Sequence, residues 1–197
     1  MNRAAGNGHL SVVEWLHAYR SEGCTKAAMN NAVKGNQLAV LEWLHTNRPE
    51  GCTTDAMDIA ASSGNLYLLW WLHANRKEGC SFRAMDYAAW NGHLQVLEWL
   101  SSNRTEGCTD EAMRFSAWEG HLSCVEWLHC TGYEWFTSDA MDFAAMSGHL
   151  SVVECLHASR SEGCTTDAVH QADDNGHLSV AKWMQANRSF SRRTRIL

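Results

Sequence analysis

"TTDAMDIAASSGNLYLLWWLHANRKEG", Thr53 to Gly79, holds the organisation of the whole chain in one unit. Thr53 is a predicted helix N-cap, because its hydroxyl can accept from a backbone N–H that the first turn leaves unpaired; Asp55 then suits the positive end of the helix dipole. Ala56, Met57, Ala60 and Ala61 fall on one helical face, and Gly64 ends the run. A second helix is predicted from about Leu66, with Leu66, Leu69 and Leu72 on its buried side. It closes near Arg76, whose cation suits the carbonyl end, and Gly79 makes the turn. The paired alanines let two helices approach closely, while Leu and Trp fill the wider gaps.

The unit recurs. Leu10, Leu38, Leu66, Leu94, Leu122, Leu150 and Leu178 stand 28 residues apart. Trp15, Trp43, Trp71, Trp99 and Trp127 keep the same interval, followed by Cys155 and then Trp183. Ala28 through Ala168 and Met29 through Met141 form further columns. No insertion breaks the register, which points to stacked units that each bury a face against the next. The predicted array spans residues 1–188: a partial repeat 1–24, then repeats 25–52, 53–80, 81–108, 109–136, 137–164 and 165–188, with a basic tail at 189–197. "RAAGNGHL" at Arg3 to Leu10 matches only the end of a first helix, so a leading half-repeat is expected to be missing.

Those residues carry a family resemblance. "GHLSVVEWL" at Gly8 to Leu16 and "AASSGNLYLLWWL" resemble the second half of an ankyrin repeat, A-A-x-x-G-H-x-x-V-V-x-x-L. The period is 28 rather than the ~33 of that family. "DAMD" stands where the family has T-P-L-H. The shortening falls where ankyrin repeats project a finger. The resemblance implies an all-α, right-handed α-solenoid of stacked helix-turn-helix ankyrin-like repeats, and the shortened link, "SEGC", predicts short loops and no β-hairpin fingers. It also implies a non-enzymatic role in binding proteins.

Composition narrows the function classes. The 197 residues carry a net charge of −6, which disfavours attraction to nucleic acid or anionic membranes. No apolar run approaches the ~18 residues of a membrane span, and "MNRAAGNGHL" lacks the apolar core of a signal peptide. Eight cysteines without a CxxC pair fit a reducing compartment, cytosol or nucleus.

Five cysteines, Cys24, Cys52, Cys80, Cys108 and Cys164, follow Glu-Gly just ahead of a predicted helix start. A thiol there could be reactive. His45, Cys52 and Gln37 make a candidate metal set, but the Gln37 position reads His9, Gln37, Asn65, His93, His121, His149 and His177 in successive copies. A ligand set that changes in this way does not hold a metal. Neighbouring copies also lie too far apart for disulfides. The cysteines read as small packing residues, and no metal or cofactor is expected. The resemblance implies that the His9-type histidines bond neighbouring loop backbone. His17, His45, His73, His129 and His157 are placed late on the second helix, near its buried face. No asymmetric catalytic set accompanies them.

Columns that vary are the candidates for function. One reads Asn31, Ile59, Tyr87, Phe115, Phe143, Gln171; three positions later comes Lys34, Ser62, Trp90, Trp118, Met146, Asp174. Tyr87 with Trp90, Phe115 with Trp118, and Phe143 with Met146 are i,i+3 pairs. Stacked, they would form an apolar ladder bordered by Asp58, Asp86 and Asp142, with Asp55, Glu111, Asp139 and Asp167 nearby against Arg83 and Arg114. By resemblance this row lines the concave face. The expected occupant is a protein or peptide with basic and apolar side chains. Two other readings stand beside it: aromatics that merely cover inter-repeat grooves, and a stacking platform for single-stranded nucleic acid with the Arg-rich tail as anchor. Tyr133, Trp135 and Phe136 could extend the ladder. Tyr67 and Trp70 interrupt the small and acidic residues of the second helices.

Overall fold

The computed structural model describes residues 1–21, 23–132, 138–158 and 165–187. Tyr133, Trp135, Phe136, Cys164 and the basic tail, to which the sequence attaches expectations, lie outside the described residues. The elements are α1 (Asn2–Gly6), α2 (Leu10–Tyr19), α3 (Ala27–Lys34), α4 (Leu38–Asn47), α5 (Asp55–Ser62), α6 (Leu66–Asn75), α7 (Arg83–Trp90) and α8 (Leu94–Asn103). They continue as α9 (Asp110–Trp118), α10 (Leu122–Cys130), α11 (Ser138–Met146), α12 (Leu150–Ala158), α13 (Thr166–Asp174) and α14 (Leu178–Ala186). Odd-numbered helices are the first of each pair and even-numbered ones the second. No strand occurs among the described residues.

Each pair closes at the turn that the sequence marks. α5 stops at Ser62, and Gly64 takes φ +69°, a left-handed conformation that glycine adopts without a Cβ clash. A second constraint acts there: a Cβ on Gly64 would lie 2.6 Å from Nδ1 of His93, whose ring rests on the glycine from the next repeat. His93 Nε2 is 3.2 Å from the Ser62 carbonyl oxygen, which can only accept, so that nitrogen carries the proton. The expected histidine-to-loop bond is therefore made. Asn36 is the one non-glycine residue in the left-handed region among the described residues, at φ +55°. There the next repeat substitutes Asn65 for histidine, and Asn65 Nδ2 donates to Asn36 Oδ1 at 2.9 Å. A smaller side chain replaces the ring where a Cβ occupies its seat.

The core is one continuous cluster along the stack. Ala56, Met57, Ala60 and Ala61 are buried, as are their counterparts in α3, α7, α9 and α11; in α13, Ala168, Val169 and Ala172 are buried while Asp173 is exposed. Ser116 replaces one of these alanines and satisfies its hydroxyl by donating to the Met113 carbonyl at 3.0 Å. On α6, Leu69 and Leu72 are buried as predicted, but Leu66 opens to solvent and Leu68 is buried instead. The helix begins at Leu66, so that side chain lies at the rim and the buried stripe starts a half-turn later.

Successive first helices pack more closely than successive second helices do. Alanine-rich faces allow that approach, so the stack curves with the first-helix row inside. Tryptophan spaces the outer row. Trp43, Trp71, Trp99 and Trp183 each meet the edge of a histidine from the preceding repeat, His17, His45, His73 and His157, with ring centroids 5.1–5.4 Å apart. The repeated tryptophans are thus inter-repeat packing residues, as their column predicts. In α2, Val12 and Trp15 are exposed, whereas Val40 and Trp71 in later copies are buried.

Candidate functional site

The inner helix row brings the variable aromatics together, though not as a uniform ladder. Trp90 at the end of α7 stacks on Phe115 of α9, centroids 4.4 Å apart and 15° from parallel. One repeat further, Trp118 stacks on Phe143 at 5.0 Å and 28°. Tyr87 is tilted against Trp90 at 6.4 Å. Each Trp–Phe pair bridges two repeats, because the tryptophan ends one helix and reaches the middle of the next. Trp90 remains 39% and Trp118 40% exposed, while Tyr87, Phe115, Phe143 and Met146 are half-buried. The aromatics therefore cover inter-repeat grooves and also present open surface.

Polar groups fix these rings. Trp90 Nε1 donates to Glu119 Oε1 at 3.3 Å. The Arg114 guanidinium lies 5.2 Å from the Phe143 centroid, opposite in sign to the ring face, and 3.6 Å from Asp110. A depression of ≈ 350 Å³ opens beside Tyr87 between Asn31, Asp55, Ile59 and Arg83. A second, of ≈ 260 Å³, lies among Asp139, Phe143, Met146 and Gln171.

The aspartates expected to border a partner are committed elsewhere. Asp58 and Asp86 are buried, and Asp142 is half-buried. Asp86 Oδ1 accepts from the Thr109 backbone N–H at 2.8 Å, and Oδ2 accepts from its hydroxyl at 2.8 Å. Asp58 does the same for Ser81, and Asp142 for Thr165. Asn30 serves Thr53 in the same geometry. These side chains therefore cap the next repeat's first helix. Burial raises the Asp58 and Asp86 carboxyls above the usual carboxylate value, with the Ser81 and Thr109 hydrogen bonds acting in the opposite direction. The signal that could have revealed this is a second column: each of these Asn or Asp residues precedes a Thr or Ser by 23 positions. Arg114 breaks that column, since a guanidinium has no acceptor to offer the following repeat. Glu119 is an inner-row polar residue that the sequence reading does not name, and Arg114, named there only as a nearby cation, lies over the Phe143 ring.

The Glu-Gly-Cys motif forms a covered seat. Gly51 takes φ +72°, and a Cβ there would collide with Arg76 Nη2 and lie 2.6 Å from Glu78 Oε1 of the next repeat. Arg76 Nη2 and Glu78 Oε1 are 2.5 Å apart, and the same pair recurs as Arg48–Glu50 and Arg104–Glu106. Burial would raise Glu78, yet its hydrogen bonds from Arg76 and the backbone hold it down at about 2. Beneath that pair, burial and then the Glu78 charge push the Cys52 thiol up to about 11; Cys80 likewise reaches about 11 and Cys108 about 12. Desolvation is the largest cause in each case and favours the neutral thiol over the reactive thiolate. Of the candidate metal set, His45 meets Trp71, Cys52 lies by Arg76 and Glu78, and Gln37 donates to Gly35. Among the described residues no group of three His, Cys, Asp or Glu could hold a metal ion. No helix among them is long and apolar enough to cross a membrane.

A thiol raised from 9.0 to about 11 is ionised about a hundredfold less at neutral pH. Timed alkylation of the folded protein with peptide mapping should therefore modify exposed Cys130 first and Cys52, Cys80 and Cys124 only on unfolding. Simultaneous labelling of all four would show the covered seats to be open.

Paired helices stacked in register, with an inner row of small residues and bridging aromatics, define an all-α solenoid of helix-turn-helix repeats. Residues 57–100 and 110–157 match the family model for ankyrin repeats (many copies), and the remaining helix pairs keep the same register. These repeats belong to the ankyrin-repeat family. Its fold is similar to that of the human ASB11 ankyrin repeat domain, with a TM-score of 0.69 over 95% of this chain and 97% of that one, at 16% identity. No curated protein matches the chain significantly.

Proposed function

We propose that the inner helix row binds an extended or helical segment of a protein partner, with Trp90 and Trp118 as anchors and Tyr87, Phe115, Phe143 and Met146 around them. The observation that carries this reading is the pair of tryptophans. Each is held flat by a phenylalanine of the next repeat, and each keeps a large open surface. A rigid aromatic with little rotamer freedom left to lose is a favourable anchor. The partner carries apolar side chains for these rings and basic ones for the exposed carboxylates Asp55, Glu111, Glu119 and Asp167 on the same row. Asp58, Asp86 and Asp142 act one layer below, by holding the repeats that present the rings. The exposed carboxylates and the net charge of −6 disfavour a phosphate backbone, whose binding depends on cations that neutralise phosphates and so release their counterions. The free cysteines fit residence in the cytosol or nucleus.

Selection from a random displayed-peptide library tests the proposal. Recovered peptides should combine aromatic or aliphatic residues with Lys or Arg. Trp90→Ala and Trp118→Ala should each weaken their binding by about thirtyfold, equivalent to about 2 kcal/mol. Peptides whose affinity ignores both substitutions would place the binding face elsewhere.

A further inference from the structure

The outer helix row carries a surface that the inner row does not account for. At one position of the second helices the repeats place Glu14, Glu42, Glu98, Glu126 and Glu154, all exposed. α6 departs from this series with Trp70, and with Tyr67 one turn earlier, where other repeats have Ser, Ala or Gln. Tyr67 is 54% and Trp70 52% exposed, with ring centroids 6.3 Å apart and tilted by 40°. Packing does not explain them. Ser, Ala or Gln at one position and Glu or Lys at the other serve the remaining repeats in the same register, and neither ring is among the buried residues of α6.

Their surroundings state what they suit. Glu42 and Glu98 occupy the equivalent position on the helices to either side, about 8–10 Å away, and neither enters an ion pair among the described residues. Two open aromatic faces between unpaired carboxylates complement a guanidinium, which stacks flat on an indole while its N–H groups reach a carboxylate. We infer that Tyr67 and Trp70, flanked by Glu42 and Glu98, form a second docking site on the outer helix row for an arginine-bearing basic segment of a protein partner. The site lies on the row opposite Trp90 and Trp118, so both can be occupied at once.

The probe is a short fluorescein-labelled peptide of alternating arginine and alanine, titrated by anisotropy against the full chain. The double variant Tyr67→Ser, Trp70→Glu restores residue types that other repeats already carry, so it keeps the fold, which circular dichroism verifies. It also adds a carboxylate, so a contact made by charge alone would strengthen. The wild type should bind with an affinity that falls as salt rises. The double variant should bind at least about tenfold more weakly. The inner-row variant Trp90→Ala, Trp118→Ala should bind like the wild type. Equal or tighter binding by Tyr67→Ser, Trp70→Glu would overturn the inference, as would absence of binding by the wild type. A loss confined to the inner-row variant would overturn it too, while leaving the proposed function intact.

Discussion

Trp71→Ala is expected to lower the stability of the array by about 3–5 kcal/mol, the range for removing a buried aromatic and leaving its cavity. Trp71 is 7% exposed and meets the edge of His45 from the preceding repeat at 5.4 Å. The loss therefore falls on an interface between repeats, where a solenoid stores much of its stability. Trp90→Ala is the contrast. It removes a stacked contact with Phe115 worth about 0.5–1.5 kcal/mol from a ring already 39% exposed. Urea denaturation of both variants, followed by circular dichroism, measures the difference. Equal destabilisation would mean that Trp90 is a packing residue and that the inner face lacks its anchor.

The second large effect concerns Asp86. Asp86→Ala removes both hydrogen bonds to Thr109, and bonds to a charged group contribute about 1.5–3 kcal/mol. Asp86→Asn should be close to neutral, because Asn30 already caps Thr53 with its Oδ1 and Nδ2. The same pair of variants isolates a pH effect. Burial raises the Asp86 carboxyl above its ordinary 3.8, so the folded state binds the proton more tightly than the unfolded state does. Its contribution is full below about 3.8 and is lost as pH rises through the higher folded value. Between these limits the stability of the Asn variant should gain on the wild type as pH rises. Glu78 works in reverse: held down at about 2, it stabilises above the ordinary glutamate range, and that contribution is lost on acidification toward 2. An Asn variant as unstable as the Ala variant would show that the charge itself, and not the geometry of the cap, holds Thr109.

Much of the fold was legible because helical periodicity and repeat periodicity are properties of one chain read along its length. Ala56, Met57, Ala60 and Ala61 share a face by spacing alone, and their recurrence every 28 residues requires neighbours that bury it. The tryptophan column and the packing role of the cysteines follow from the same reasoning. The candidate site was legible only in part. Tyr87, Trp90, Phe115 and Trp118 stand out as variable aromatics on one helix row, but spacing along a single helix does not reveal stacking between repeats. The contacts that set the rings are Trp90 with Phe115 and Trp118 with Phe143, across repeats.

By itself, the sequence determined the class of the fold, the two helices of each repeat and the small apolar residues that one repeat buries against the next. The tertiary structure alone decided which repeated polar residue faces solvent and which faces the next copy. Asp58 and Asp86 sit on the same helix row as the exposed Asp55, yet they turn across the stack to Ser81 and Thr109. Gly64 receives His93, and Cys52 lies under Arg76 and Glu78, for the same reason. Each of these contacts joins residues 23–29 positions apart, and its geometry depends on how far one repeat is shifted and rotated against the next. Periodicity states that repeats touch. The offset between them, set by alanine-thin inner faces and tryptophan-spaced outer ones, selects the atoms that meet.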